Sequence, residues 1–143
     1  MAFWTRAGGL VLCIVLLASC SQQSSATDDL IHALTETHSA VASSILAIEL
    51  YDQQRSTRAV TDTVLGDMAK QAVDAEGALE PISVDSEQLQ SDRDATLAAI
   101  QSGVAALFTS RDNFSQHAAV DTAALKSADQ QLNDVLNQLR GSR

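Results

Sequence analysis

Aromatic residues make up only 3 % of this 143-residue chain, proline occurs once, as Pro81, and there are 6 Gly and 2 Cys. So few cysteines exclude a disulfide scaffold, and so little proline and glycine exclude a collagen-like or low-complexity chain. Positive charge is also scarce: 9 Lys and Arg stand against 18 Asp and Glu, for a formal net charge of −9. Such a surface repels phosphate, which argues against nucleic-acid binding, and repels anionic headgroups, so membrane attachment needs another cause. The paucity of aromatics weakens any reading as a small-molecule pocket protein, since pockets are rich in them. No segment alternates polar and apolar residues with β-branched enrichment, so strands are not expected. What is abundant is aliphatic. Hydrophobic residues total 45 %, enough to exclude disorder and to build one domain, in a length too short for two.

The N-terminus begins Met-Ala-Phe-Trp-Thr-Arg, with Arg6 as its one side-chain cation, and an apolar run follows from Ala7 to Ala18. Such a run rises about 18 Å as a helix, short of the ~30 Å hydrocarbon core of a bilayer. This is the anatomy of an export signal rather than of a permanent span. The run closes on Leu17-Ala18-Ser19-Cys20, which resembles the lipobox of bacterial lipoprotein precursors at every position: a branched apolar residue, two small residues, then Cys. The resemblance implies that Leu17, Ala18 and Ser19 form the signal peptidase recognition sequence. It further implies that Cys20 carries a diacylglyceryl or acyl group and becomes the first residue after cleavage. Cys13 serves as an internal control, because Leu12 stands before it where a small residue is required. With one chain a lipid anchor is reversible and with two it is firm, so Cys20 alone could hold an acidic domain on a membrane. The expected organisation is a signal peptide over 1–19, a lipidated Cys and flexible tether over 20–27, and a helical domain over 28–143.

From Asp28 onward the apolar spacing is helical. Leu30, Leu34, Val41, Ile45 and Ile48, widened by Leu46 and Leu50, predict a first helix near 28–53, although nothing in Asp52-Gln53-Gln54-Arg55 forbids its continuation. Val60, Val64, Leu65, Met68, Ala72, Ala75 and Leu79 predict a second over 57–79, capped by Ser56 or Thr57 and ended by Glu80-Pro81. Leu89, Leu97, Ile100, Val104, Leu107 and Phe108 predict a third over 86–110, with Asp85 and Gln88 as a capping box. Val120, Leu125, Ala128, Leu132, Val135, Leu136 and Leu139 predict a fourth. Asn113 and Gln116 repeat the box pattern, which puts its start near 114, and Gly141 closes it with Arg140 in the last turn. Four such segments with short connections predict an all-α fold, an antiparallel up-down four-helix bundle. Long helical hairpins needing a partner are the alternative. Gly66, Gly77 and Gly103, isolated within helices, mark close contacts or weak points.

Catalytic and metal templates are not met. Glu-x-x-His is absent; Glu36 and His38 point apart on a helix, His32 and Glu36 share a face without making a site, and His117 is isolated. Asp92 with Asp94 and Asp74 with Glu76 are spaced two apart and read as solvated surface. No nucleophile elbow or phosphate loop occurs, so neither a catalytic residue, a metal ligand nor a cofactor is assigned, and the chain is not expected to be an enzyme. Arg93 and Arg111 fall near the apolar stripe of the third helix and read as side chains reaching past its edge, with a buried ion pair or an anion- or partner-binding spot as alternatives; Arg55 and Arg58 are further candidates.

Leu50-Tyr51-Asp52-Gln53-Gln54-Arg55-Ser56-Thr57 and Thr63-Val64-Leu65-Gly66-Asp67 are similar to segments of uncharacterised small helical lipoproteins of actinobacteria, a resemblance that transfers no functional residues. The expectation is a lipid-anchored protein of the cell membrane, on its extracytoplasmic side. It would serve as a structural or interaction module with an envelope protein partner. A bundle that binds a small ligand or metal is the alternative.

Overall fold

The computed structural model of the chain describes residues 8–142, with side chains from residue 25 onward. Four helices account for nearly all of it: α1 (Gly8–Asp52), α2 (Arg58–Gly77), α3 (Glu87–Ser115) and α4 (Ala123–Gly141). Among the described residues there is no strand. The expected first helix is therefore longer at its N-terminal end, for α1 runs without a break through residues 21–27, the stretch expected to be a flexible tether. Ser-Gln-Gln-Ser-Ser-Ala-Thr holds no Gly or Pro, and extending an existing helix avoids the cost of nucleation. Ala26 at its far end packs against the core.

The end of α1 is decided by backbone geometry that no composition signal announces. Gln54 adopts φ 59°, the left-handed conformation, and the N–H groups of Gln54 and Arg55 donate to the carbonyls of Tyr51 and Leu50 at 2.9 and 2.8 Å. That is a Schellman closure, usually built on glycine. Thr57 then caps α2, its hydroxyl accepting from the Val60 N–H, as the sequence suggests. α2 stops at Gly77, two residues short of expectation. The α3 cap is Ser86, whose Oγ accepts from the Leu89 N–H at 3.1 Å, so the expected Asp85–Gln88 box is displaced by one residue.

The largest correction concerns residues 113–122. The spacing of Asn113 and Gln116 read as the start of the fourth helix, whereas it belongs to the end of the third. α3 continues to Ser115; His117 is left-handed at φ 60°, and the His117 and Ala118 N–H groups donate to the carbonyls of Phe114 and Asn113. A second Schellman closure thus occupies the place assigned to a cap. α4 begins at Ala123, with Asp121 Oδ1 accepting from the Ala123 N–H at 2.9 Å, and Arg140 lies in its last turn as expected.

The helices pack in the cyclic order α1, α2, α3, α4, each against the next and α4 against α1: an antiparallel four-helix bundle. Its diagonals are unequal. α1 touches α3, while among the described residues α2 and α4 do not meet. Gly103 explains the short diagonal, for a methyl added there would lie 3.1 Å from Thr37 Cγ2 and 3.5 Å from Val41 Cγ2 of α1, and 3.4 Å from Leu132 Cδ1 of α4. The core is aliphatic, centred on Leu34, Val41, Leu65, Ile100, Leu107 and Leu132, all fully buried. Three residues of the expected stripes face outward: Leu46 is 56 % exposed, Val60 55 % and Phe108 39 %. Leu46 follows Val41 by five positions, about 140° around the helix, which turns it from the core. Asp92 departs the other way. It is buried, between Leu89 and Thr96 on the inner side of α3, and accepts from Gln88 Nε2 at 2.9 Å, whereas Asp94 is exposed.

Candidate functional site

The connections α1–α2 and α3–α4 lie at one end of the bundle, here called the tip. Tyr51, in the last turn of α1, meets Phe114, in the last turn of α3, edge to face with ring centroids 5.0 Å apart. Arg58, the first residue of α2, lays its guanidinium 4.9 Å from the Phe114 centroid. Its Nη2 donates to the carbonyls of Phe114 and Ser115. A cation at those carbonyls complements the negative end of α3, and at Ser115 it satisfies an acceptor that the helix leaves open. Arg58 is thereby held as a rigid positive group, tied by stacking on one face and hydrogen bonds at one edge.

Two clefts open on either side of Arg58 and His117. The first, about 420 Å³, has an apolar floor including Ile48, Phe114 and Val120, and a rim of Tyr51, Asp52, Arg58 and His117. The second, about 400 Å³, is lined by Arg58, Ala59, Asp62, Ser115 and His117, and Asp62 accepts there from Ser115 Oγ at 3.2 Å. A third cleft, about 360 Å³, lies between α2 and α3 near the other end, with Val73, Leu79 and Leu97 beside Glu76 and Arg93. Glu76 is committed there to Gln101 Nε2 at 3.0 Å.

Comparison of the chain with protein families, with curated proteins and with solved structures finds no match. The chemistry must therefore be read from the residues themselves.

The sequence candidates are dispersed. Leu17, Ala18, Ser19 and Cys20 lie outside the residues whose side chains are described. His32 and Glu36 approach to 3.5 Å on the exposed surface of α1. His38 points the other way, its Nε2 3.3 Å from Asp129 Oδ1 of α4, so Glu36 and His38 do diverge. Lys126 and Glu49 make a second α1–α4 contact at 3.2 Å. Among the described residues no three His, Cys, Asp or Glu side chains come together as a metal site. Nor, among them, is any helix long and apolar enough to cross a membrane.

Arg93 is half-buried, with Nη2 3.5 Å from the Leu79 carbonyl and its Nε buried without a partner; among the described residues it forms no ion pair. Arg55 and Arg111 are exposed, and Arg111 lies along α2 beside Gly66. The Asp74 of the spaced acidic pair binds Lys70 at 2.6 Å, and that hydrogen bond and charge raise the Lys70 ammonium above its ordinary 10.5. The tip cluster itself escaped the sequence reading. Its signal was present, since Tyr51 and Phe114 are two of only three aromatics after residue 20 and both stand near helix ends. Their partnership with Arg58 spans three helices, which no local pattern encodes.

Proposed function

We propose that this protein is a lipid-anchored bacterial envelope lipoprotein whose helical bundle serves as a structural or interaction module on the extracytoplasmic side of the cell membrane. The observation that carries this reading is Leu17-Ala18-Ser19-Cys20 at the close of the apolar run. Cleavage before Cys20 and acylation of its thiol leave an acidic domain held by its first residue. The bundle's construction supports the same reading. The first fully buried residue among those whose side chains are described, Leu30, follows Cys20 by ten positions, about 15 Å of helix, so the base of the bundle would stand close to the bilayer. Along the same helix Asp52 lies about 48 Å from Cys20, so the tip would face away from the lipid, toward other envelope components. Surface apolar groups are available for contact: Val73 and Leu97 line the α2–α3 cleft, and Phe108 stands about three helical turns beyond Leu97 on the same side of α3.

The test is expression in a bacterial host with labelled fatty acid, followed by intact-mass analysis. The expected product begins at Cys20, carries acyl mass and partitions with membranes, while Cys20→Ala incorporates no label. A wild-type chain that retains Met1 and has unmodified mass would end the reading. Crosslinking in cells then tests the module: a defined neighbour supports it, and indiscriminate recovery of abundant envelope proteins counts against it.

A further inference from the structure

We propose that the first tip cleft is a binding site for a small carboxylate with an apolar body. Its volume, about 420 Å³, is in the range of small-ligand sites, and its makeup is theirs too: an apolar, partly aromatic floor with a few polar groups on the rim. Three of those groups are donors. Arg58 uses only Nη2 in its bonds to the α3 carbonyls, so Nη1 and Nε make no hydrogen bond among the described residues. The Tyr51 hydroxyl and the His117 imidazole, both lining the cleft, likewise make none among them. A carboxylate is the group that free guanidinium N–H donors flanked by further donors recognise best, through short charge-assisted bonds. Arg58 loses little freedom on binding because stacking and two carbonyls already fix it.

The backbone adds an independent indication. Gln54 and His117 are the two non-glycine residues with positive φ among those described, and both belong to the loops at the tip. In each, glycine would serve the helix closure better, and retained strain of this kind clusters at binding sites. At His117 the residue kept in place of glycine brings a donor to the rim. Asp52 is the one acidic group on the same rim, so two sources of the carboxylate differ in prospect: a free apolar amino acid, whose ammonium Asp52 would take, and a simple carboxylic acid, which has none. This inference stands apart from the lipid anchor and survives its failure.

The experiment titrates full-length protein with leucine and with 4-methylpentanoate by calorimetry and amide NMR. Expected are shifts at Tyr51, Phe114 and His117 with either probe, and loss of affinity by about tenfold in Arg58→Gln, the scale of one charge-assisted bond. Because Arg58 also closes α3, Tyr51→Phe and His117→Gly keep the fold and remove one donor each; both should weaken binding about threefold or more. Tighter leucine binding that Asp52→Asn abolishes would identify the amino acid, and equal binding of the two probes would identify the simple acid; both support the site. Absence of shifts with both probes at millimolar concentration, or binding indifferent to Tyr51→Phe and His117→Gly, would overturn it.

Discussion

Gly103→Ala is the substitution in which local and tertiary preferences conflict most directly. In an isolated helix alanine is better than glycine by about 1 kcal/mol. In α3 the new methyl would lie 3.1 Å from Thr37 Cγ2, with Leu132 Cδ1 at 3.4 Å behind it. Thr37 cannot rotate away freely: it is fully buried, and its hydroxyl donates to the Ala33 carbonyl at 3.0 Å. The α1–α3 diagonal must therefore widen or Thr37 must leave its rotamer, at an overpacking cost of about 1–3 kcal/mol. The expected net loss is about 1 kcal/mol, or roughly 4 °C in Tm for a domain of this size. Gly66→Ala is the control. Its methyl would meet Arg111 Nε at 3.8 Å, an ordinary contact, so the helix preference should prevail and stabilise the protein by about 0.5–1 kcal/mol. Urea unfolding followed by far-UV circular dichroism measures both. Adding Thr37→Ser removes the obstructing methyl, so Gly103→Ala should become harmless in that background, a coupling of about 1 kcal/mol in the double-mutant cycle. If Gly103→Ala instead raises stability as Gly66→Ala does, and shows no coupling to Thr37→Ser, then close approach is not what the glycine provides.

Other outcomes follow from the same packing. Gln54→Gly and His117→Gly each relieve a left-handed backbone and should raise stability by about 1 kcal/mol, read as a rise in the urea midpoint at constant m-value. Leu132→Ala, at a fully buried position, should cost about 2–5 kcal/mol and lower Tm substantially. Lys70→Gln should leave thermal stability nearly unchanged at neutral pH, because its partner Asp74 is also exposed. The raised Lys70 value means that whatever the pair contributes is present below pH 10.5 and disappears as pH climbs through the folded-state value, so any wild-type advantage over Lys70→Gln should vanish there.

Several local features were legible in the sequence because their causes are local. The apolar spacing of Leu30, Leu34, Val41 and Ile48 fixes which side of α1 is buried, and Thr57 caps α2 through its own side chain. Where the chain reverses was less legible. Both Schellman closures sit on non-glycine residues, Gln54 and His117, so the usual signal was missing, and Asn113 with Gln116 imitated a helix start at a helix end. α3 reaches Ser115 because Phe114 finds Tyr51 and Arg58 on other helices. None of that information resides within the segment.

The chain by itself determined the class and the rhythm: helices, their inner faces and an acidic surface, all consequences of side-chain type and of spacing along a 3.6-residue period. Tertiary structure alone decided which diagonal of the bundle closes and which polar groups share a cleft. It brought Arg58 onto the carbonyls of α3 and left Leu46 in solvent while burying Asp92. The physical reason is that packing depends on what a neighbouring helix offers at the same height, a missing methyl at Gly103 or an open carbonyl at Ser115, and residues far apart in the chain supply it.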